Sequence, residues 1–143
     1  MTAPPCELCT NSGGHLIHAD GQLRVIVVDD PDYPGFVRVV WNAHVREMTD
    51  LVPADRARCM EAVFAVETAL RRHLAPDKVN LASLGNLVPH VHWHVIPRFA
   101  GDSHFPQPVW GARQRDASPQ ALPAGLATQV AGELALALGA PAS

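Results

Sequence analysis

Short hydrophobic runs divided by turn-forming residues predict strands in the first third of the chain. His15 to Ala19 and Leu23 to Val28 flank Asp20-Gly21 and read as a hairpin. Asp29 to Gly35 holds two prolines and a glycine, which break regular structure, and the β-branched and aromatic run Phe36 to Trp41 follows as a third strand. From Pro53 to Leu74 the period changes. Cys59, Val63, Val66 and Leu70, with Met60 and Phe64 alongside, recur at steps of three and four and predict one amphipathic helix. Pro53 suits the first helical turn, and Arg71, Arg72 and His73 precede the Ala75-Pro76 stop, where the helix dipole favours cations. Lys78 to Leu84 and Val91 to Ile96 are two further strands, the first ending near Gly85-Asn86 and the second at Pro97. After Gly101 the chain is proline-rich and loop-like, and the Ala/Leu stretch Ala121 to Leu138 reads as either a second helix or a flexible tail.

The segment richest in chemistry is His90-Val91-His92-Trp93-His94-Val95-Ile96-Pro97, where histidine alternates with apolar residues. On a strand, alternate side chains point to opposite faces, so Val91, Trp93 and Val95 enter the core and three imidazoles share the other face. Neighbouring rings are then about 6.6 Å apart along the strand, close enough to engage one tetrahedral phosphate. An imidazole with one nitrogen held by a hydrogen bond keeps the other free to attack, and a protonated neighbour can serve the leaving group. A single histidine here would be an ordinary core or solvated residue; three in register argue for a site. A rival reading is a catalytic metal centre, because H-x-H on a strand supplies two of three imidazoles in some zinc enzymes, but no acidic ligand lies between Asn80 and Arg98.

Composition narrows the partner. The 143 residues are 48% hydrophobic and 17% charged with a net charge of −3, which argues against a surface for polynucleotides and for phosphate handled locally. No apolar run reaches the ~20 residues of a membrane span, and Met1 to Thr10 lacks the pattern of a secretory signal, so the chain is read as cytoplasmic with no membrane partner. Of three cysteines, Cys59 belongs to the helix core pattern, while Cys6 and Cys9 form C-x-x-C, suited to a metal or a redox pair. The pair precedes Thr10-Asn11-Ser12-Gly13-Gly14 and not a helix start that would lower a thiol pKa, which argues against redox chemistry. His15, His18, His73 and His104 are read as surface residues, His104 also as a rim contact.

At His90, His92 and His94 the sequence resembles the histidine triad family, whose motif is three histidines alternating with hydrophobic residues on a strand. The likeness extends over Gly85-Asn86 and over Pro97 to Asp102, where it is similar to the dinucleoside-polyphosphate hydrolase branch called fragile histidine triad, and spans roughly residues 6 to 110. It implies a HIT-like α+β fold with an antiparallel sheet of about five strands, one long helix and a possible C-terminal helix. The expected units are a catalytic domain over residues 1–115 and an Ala/Leu-rich helix or tail over 116–143. It further implies a nucleotide hydrolase cleaving a phosphoanhydride or phosphoramidate bond, with a purine nucleotide preferred and a homodimer as the assembly. His92 would be the nucleophile on the α-phosphorus, forming a nucleotidyl-histidine, with His94 near the bridging atom. Asn86 stands at the family's glutamine position as a phosphoryl donor; Asn80 is a second phosphate contact and Asp29 a ribose contact. Alternatives are a nucleotidyltransferase using the same intermediate and a nucleotide-binding, zinc-stabilised module without turnover.

Pro34-Gly35 and His44 resemble the family's glycine and P-x-x-H segment, with Trp41 in place of the proline. In several members, and in the related galactose-1-phosphate uridylyltransferases, a C-x-x-C pair binds zinc with that histidine and the first triad histidine. The corresponding set here is Cys6, Cys9, His44 and His90, a closed tetrahedral set of the structural kind; reduced surface cysteines are the alternative. Two departures bear on rate and preference. Leu87 replaces a Ser or Thr that supplies a hydroxyl, and Phe36 replaces a histidine.

Overall fold

Asp20 builds the first turn: its carboxylate accepts from the amides of Gln22 and Leu23, and its own amide donates to the Leu23 carbonyl. The turn joins β1 (His15–Ala19) to β2 (Leu23–Val27), and β2 pairs along its length with β3 (Val37–Trp41). The computed structural model describes residues 5–118 and 120–141. Within them β5 (His92–Arg98) inserts between β3 and β4 (Lys78–Ala82), giving a five-stranded sheet in the order β1-β2-β3-β5-β4 with every neighbour antiparallel. The expected α+β fold is what forms.

One face of the sheet carries the core. The long helix α2 (Pro53–Leu74) buries Cys59, Ala62, Val63, Val66, Ala69 and Leu70 against Val25, Val39, Val79 and Val95 of the strands. Burial of this stripe is the main stabilising term, at about 1.5–3 kcal/mol per large apolar side chain. Phe64, expected beside the stripe, stands on the solvent side at 53% exposed. At the other end of α2, Ala75 adopts a left-handed conformation (φ 44°) with its amide on the Arg71 carbonyl, and Pro76 forbids continuation.

The Ala/Leu stretch is a helix, α3 (Leu126–Leu138), since Leu126, Val130, Leu134 and Leu138 recur every four residues and bury in the same core. Glu133 receives Arg72 and His73 from α2, and Arg58 donates to the Leu138 carbonyl, so α3 is fastened at its middle and its end. Among the described residues, no helix is long and apolar enough to cross a membrane.

Three details depart from the sequence reading. β4 stops at Ala82, short of Leu84, and β5 runs through Pro97 to Arg98. Beyond Val95 the strand has only β4 beside it, so a residue without an amide N–H fits there. His18 is buried (2% exposed), not on the surface. A bulge makes Ile17 an extra residue between the pairs Leu16↔Ile26 and His18↔Val25, which moves His18 onto the core face shared by Val25. Its Nε2 meets Asp20 at 3.2 Å, while its Nδ1 has no hydrogen-bond partner among the described residues.

Candidate active site and metal centre

The sheet face opposite α2 and α3 carries the candidate site. Cross-strand partners share a face, so the pairs Arg38↔His94 and Val40↔His92 set Arg38 and both histidines side by side. The His92 and His94 rings lie 5.0 Å apart, edge to face. They line a cavity of about 390 Å³ together with Arg38, Trp110, the short N-terminal helix α1 (Glu7–Thr10) and the loop Leu84 to Val88. In that loop Gly85 takes a left-handed φ of 77°, which turns the chain leaving β4 over the cavity rim.

Hydrogen bonds assign the protons. His92 Nδ1 lies 2.6 Å from the His90 carbonyl, which only accepts, so Nδ1 carries the proton and the lone pair is on Nε2. Arg38 Nε donates to His94 Nδ1 at 3.3 Å; a guanidinium only donates, so the His94 proton sits on Nε2. Burial, then the neighbouring His92 and Arg38 charges, depress His94 to a pKa of about 4, and burial lowers His92 despite the opposing effect of the His90 carbonyl. Both rings are therefore neutral near pH 7.

His90 faces elsewhere. It precedes β5, is 1% exposed, and gives its Nε2 proton to the Trp41 carbonyl at 2.5 Å. Its free Nδ1 then meets Cys6 Sγ and Cys9 Sγ at 3.5 Å each and His44 Nδ1 at 3.2 Å, while Cys9 Sγ lies 3.4 Å from His44. Tetrahedral zinc with ordinary Zn–N and Zn–S bonds separates its ligands by about 3.3–3.8 Å. The four donors lie within 4.8 Å of one another, so two thiols and two imidazoles fit such an ion, and the Trp41 carbonyl supplies the outer hydrogen bond that a ligating histidine needs. Arg24 pins this segment to the sheet through the carbonyls of Leu8, Asn11 and Ser12. Cys6 caps α1, so a helix start is present after all. Yet the Cys9 thiol is raised, by desolvation and then by Cys6, which leaves the argument against redox chemistry standing on a different ground.

The HIT domain family model matches residues 10–101. The chain belongs to the HIT domain family. It is similar to AP-4-A phosphorylase of Mycobacterium tuberculosis, 31% identical over 105 residues covering 68% of this chain and 54% of that protein. It is 30% identical over 77 residues to the asymmetrical bis(5'-nucleosyl)-tetraphosphatase of Schizosaccharomyces pombe, covering 50% of this chain and 42% of that one. The chain thus spans about half the length of these curated relatives. A crystal structure of a histidine triad protein from Bradyrhizobium japonicum superposes with a TM-score of 0.69 at 32% identity, covering 89% of this chain and 92% of that one.

Within this HIT site the sequence-expected residues divide. His92, His94 and Asn86 line the cavity, and His90 joins Cys6, Cys9 and His44 beside it. Asn80 does not line the cavity; it accepts from Arg98 Nη1 at 2.8 Å. Asp29 is exposed beyond the end of β2 and likewise lies outside the cavity lining. Phe36 packs edge-on to His94 at 5.5 Å with the Arg38 guanidinium 5.6 Å over its face, and Leu87 is 97% exposed at the rim. Two of the lining residues that the sequence pattern did not single out contact His94. Arg38 had a usable signal, because period two places it on the face of His94. Trp110, 5.2 Å from His94, lies in a loop with no periodicity to read.

Proposed function

We propose that the protein cleaves a phosphoanhydride or phosphoramidate bond at the α-phosphate of a purine nucleotide, with His92 as the nucleophile. The observation that carries this reading is the His92 Nδ1 bond to the His90 carbonyl, which leaves the Nε2 lone pair free on a ring that lines a cavity of about 390 Å³. Attack forms the Nε2–P bond as the bond to the leaving group breaks, and the His90 carbonyl steadies the imidazolium that results. His94, with its proton on Nε2, hydrogen-bonds the departing atom. Asn86, at the rim, donates to a phosphoryl oxygen. Water then attacks phosphorus, the P–N bond breaks, and a proton goes to solvent. The similarity to a protein named AP-4-A phosphorylase favours a second reading in which inorganic phosphate takes the place of water. Mixing the protein with diadenosine polyphosphates and adenosine 5'-phosphoramidate, followed by early quenching and peptide mass analysis, tests the intermediate. Wild type should carry an adenylyl adduct on the peptide containing His92, and His92→Ala should lose both adduct and turnover. Turnover that persists in His92→Ala ends the reading, and adding phosphate in place of water as acceptor separates nucleoside monophosphate from diphosphate as the product.

Cys6, Cys9, His44 and His90 would hold a structural zinc, which when bound supplies a rigid tie between the N-terminal turn and the segment leading into β5, with no open position for catalysis. The assembly is proposed to be a homodimer. β4 is a sheet edge, and Phe64 of α2 and Leu84 after β4 are large exposed apolar residues at 53% each. Light scattering on the eluting protein would give twice the chain mass.

A further inference from the structure

Arg38 is the permanent cation in the cavity lining. Its residue type is unexpected at the centre of a five-stranded sheet: Val37 and Val39 on either side are buried in the core, while Arg38 points to the opposite face. Its Nε is committed to His94. Among the described residues no carboxylate lies within ion-pair distance of it; Glu7 and Asp30 contribute only at longer range. The two Nη groups of a half-buried guanidinium are thus left without an anion beside the nucleophilic histidine. Phe36 holds the guanidinium plane from below. A half-buried arginine with no carboxylate in direct ion-pair contact is costly unless a ligand completes it, and the planar fork matches phosphate oxygens.

We propose that Arg38 binds the phosphoryl group adjacent to the one His92 attacks, which makes the substrate a nucleoside 5'-diphosphate or polyphosphate ester and not a nucleoside phosphoramidate. The proposal rests on the His92 reading above and names its substrate class. The chemistry of departure agrees. As the bond from His92 Nε2 to the α-phosphorus forms, the bond from that phosphorus to the bridging oxygen breaks, and the electron pair leaves on the oxygen of the departing phosphate. That group needs its negative charge balanced but needs no proton, and Arg38 is placed to balance it. An amine leaving group would need a proton. His94 cannot readily give one, since its Nδ1 is occupied by the Arg38 N–H and surrender of the Nε2 proton would leave an imidazolate.

The test separates binding from turnover. Calorimetric affinities for AMP and for the uncleavable α,β-methylene-ADP would be measured on wild type, Arg38→Met and Arg38→Gln. Wild type should prefer the diphosphate by about 10- to 100-fold, the range expected for a charge-assisted pair, and both variants should bind the two probes within about threefold of each other. The ratio does not depend on how much of a variant is folded; if neither variant folds, the wild-type ratio decides. A wild-type preference below threefold, or one that survives in the variants, overturns the proposal. Turnover with no such preference would sink Arg38 and leave the His92 reading intact. A preference without any turnover would do the reverse, and binding of neither probe would sink both.

Discussion

Three histidines of one motif end in three different settings, and one neighbouring group decides each. The His90 carbonyl fixes the tautomer of His92, the Trp41 carbonyl turns His90 toward the cysteines, and the Arg38 guanidinium sets the proton of His94. His94 carries a stability consequence. Its folded pKa of about 4 lies below the ordinary value of 6.5, mainly through burial, so under acid conditions the unfolded chain takes up a proton that the folded chain refuses. The associated stability is fully present above pH 6.5 and is lost as the pH falls toward 4. In His94→Asn, which does not titrate, the fall in Tm between pH 7 and pH 4.5 should be smaller than in wild type; an equal fall would show that His94 is not held neutral by its surroundings. The alternation of the motif made the shared face of His92 and His94 legible. It did not reveal that His90 lies outside the strand, because the direction of a ring at a strand's edge depends on contacts with Cys6 and His44, distant in sequence. Arg38 is legible by the same rule of two, on the face opposite Val37 and Val39.

Elements carry the site by holding its walls. The loop after β5 is irregular, yet Trp110 has a fixed place in it because Arg98, 2% exposed, reaches both oxygens of Asp102 at 2.7 and 2.9 Å, the Gln107 carbonyl and Asn80. Asp102 in turn accepts from the amides of His104 and Phe105, and Arg115 closes the loop onto the Asp102 and Phe105 carbonyls. Burial pushes the Asp102 carboxyl up, but the Arg98 hydrogen bonds and the two amides more than offset it and leave it below the usual carboxylate range. Asp102→Ala would strand a buried guanidinium, at a cost of about 3 kcal/mol. For a chain of this length that corresponds to a loss of about 10 °C in Tm. Asp102→Asn, which keeps an acceptor for the amides, should lose about half as much. A change under 2 °C in Asp102→Ala would mean that the loop is held by something other than this pair. The sequence pattern assigned the strands and α2 well because packing on one sheet face imposes a period. It missed this hub because a charge pair four residues apart in a loop imposes none, and Asn80, read as a phosphate contact, is in fact oriented by Arg98.

At the scale of the molecule, α2 and α3 secure one sheet face, whereas the other is closed only by short pieces of chain. Arg24 holds α1 down by three carbonyls, and Leu8 packs on Ile26 and Val40, a small cluster compared with the main core. The metal set joins this segment, the His44 loop and the approach to His92 at one point, so its loss should loosen the cavity wall without melting the sheet. Elemental analysis should find one zinc per chain, and Cys9→Ser should remove it, because a closed four-ligand site loses most of its affinity with one thiolate. The far-UV circular dichroism of that variant should stay close to wild type, since the core on the helical face is untouched. Its Tm should fall by several degrees, and amide exchange should quicken in residues 6–14 and around His44 before it does in β2 or β3. A strong chelator should reproduce the Tm shift in wild type and leave Cys9→Ser unmoved. Should wild type contain no zinc when purified without chelator, or should the chelator shift both proteins alike, the four side chains are neighbours without a metal, and Arg24 alone must hold the N-terminal wall of the site.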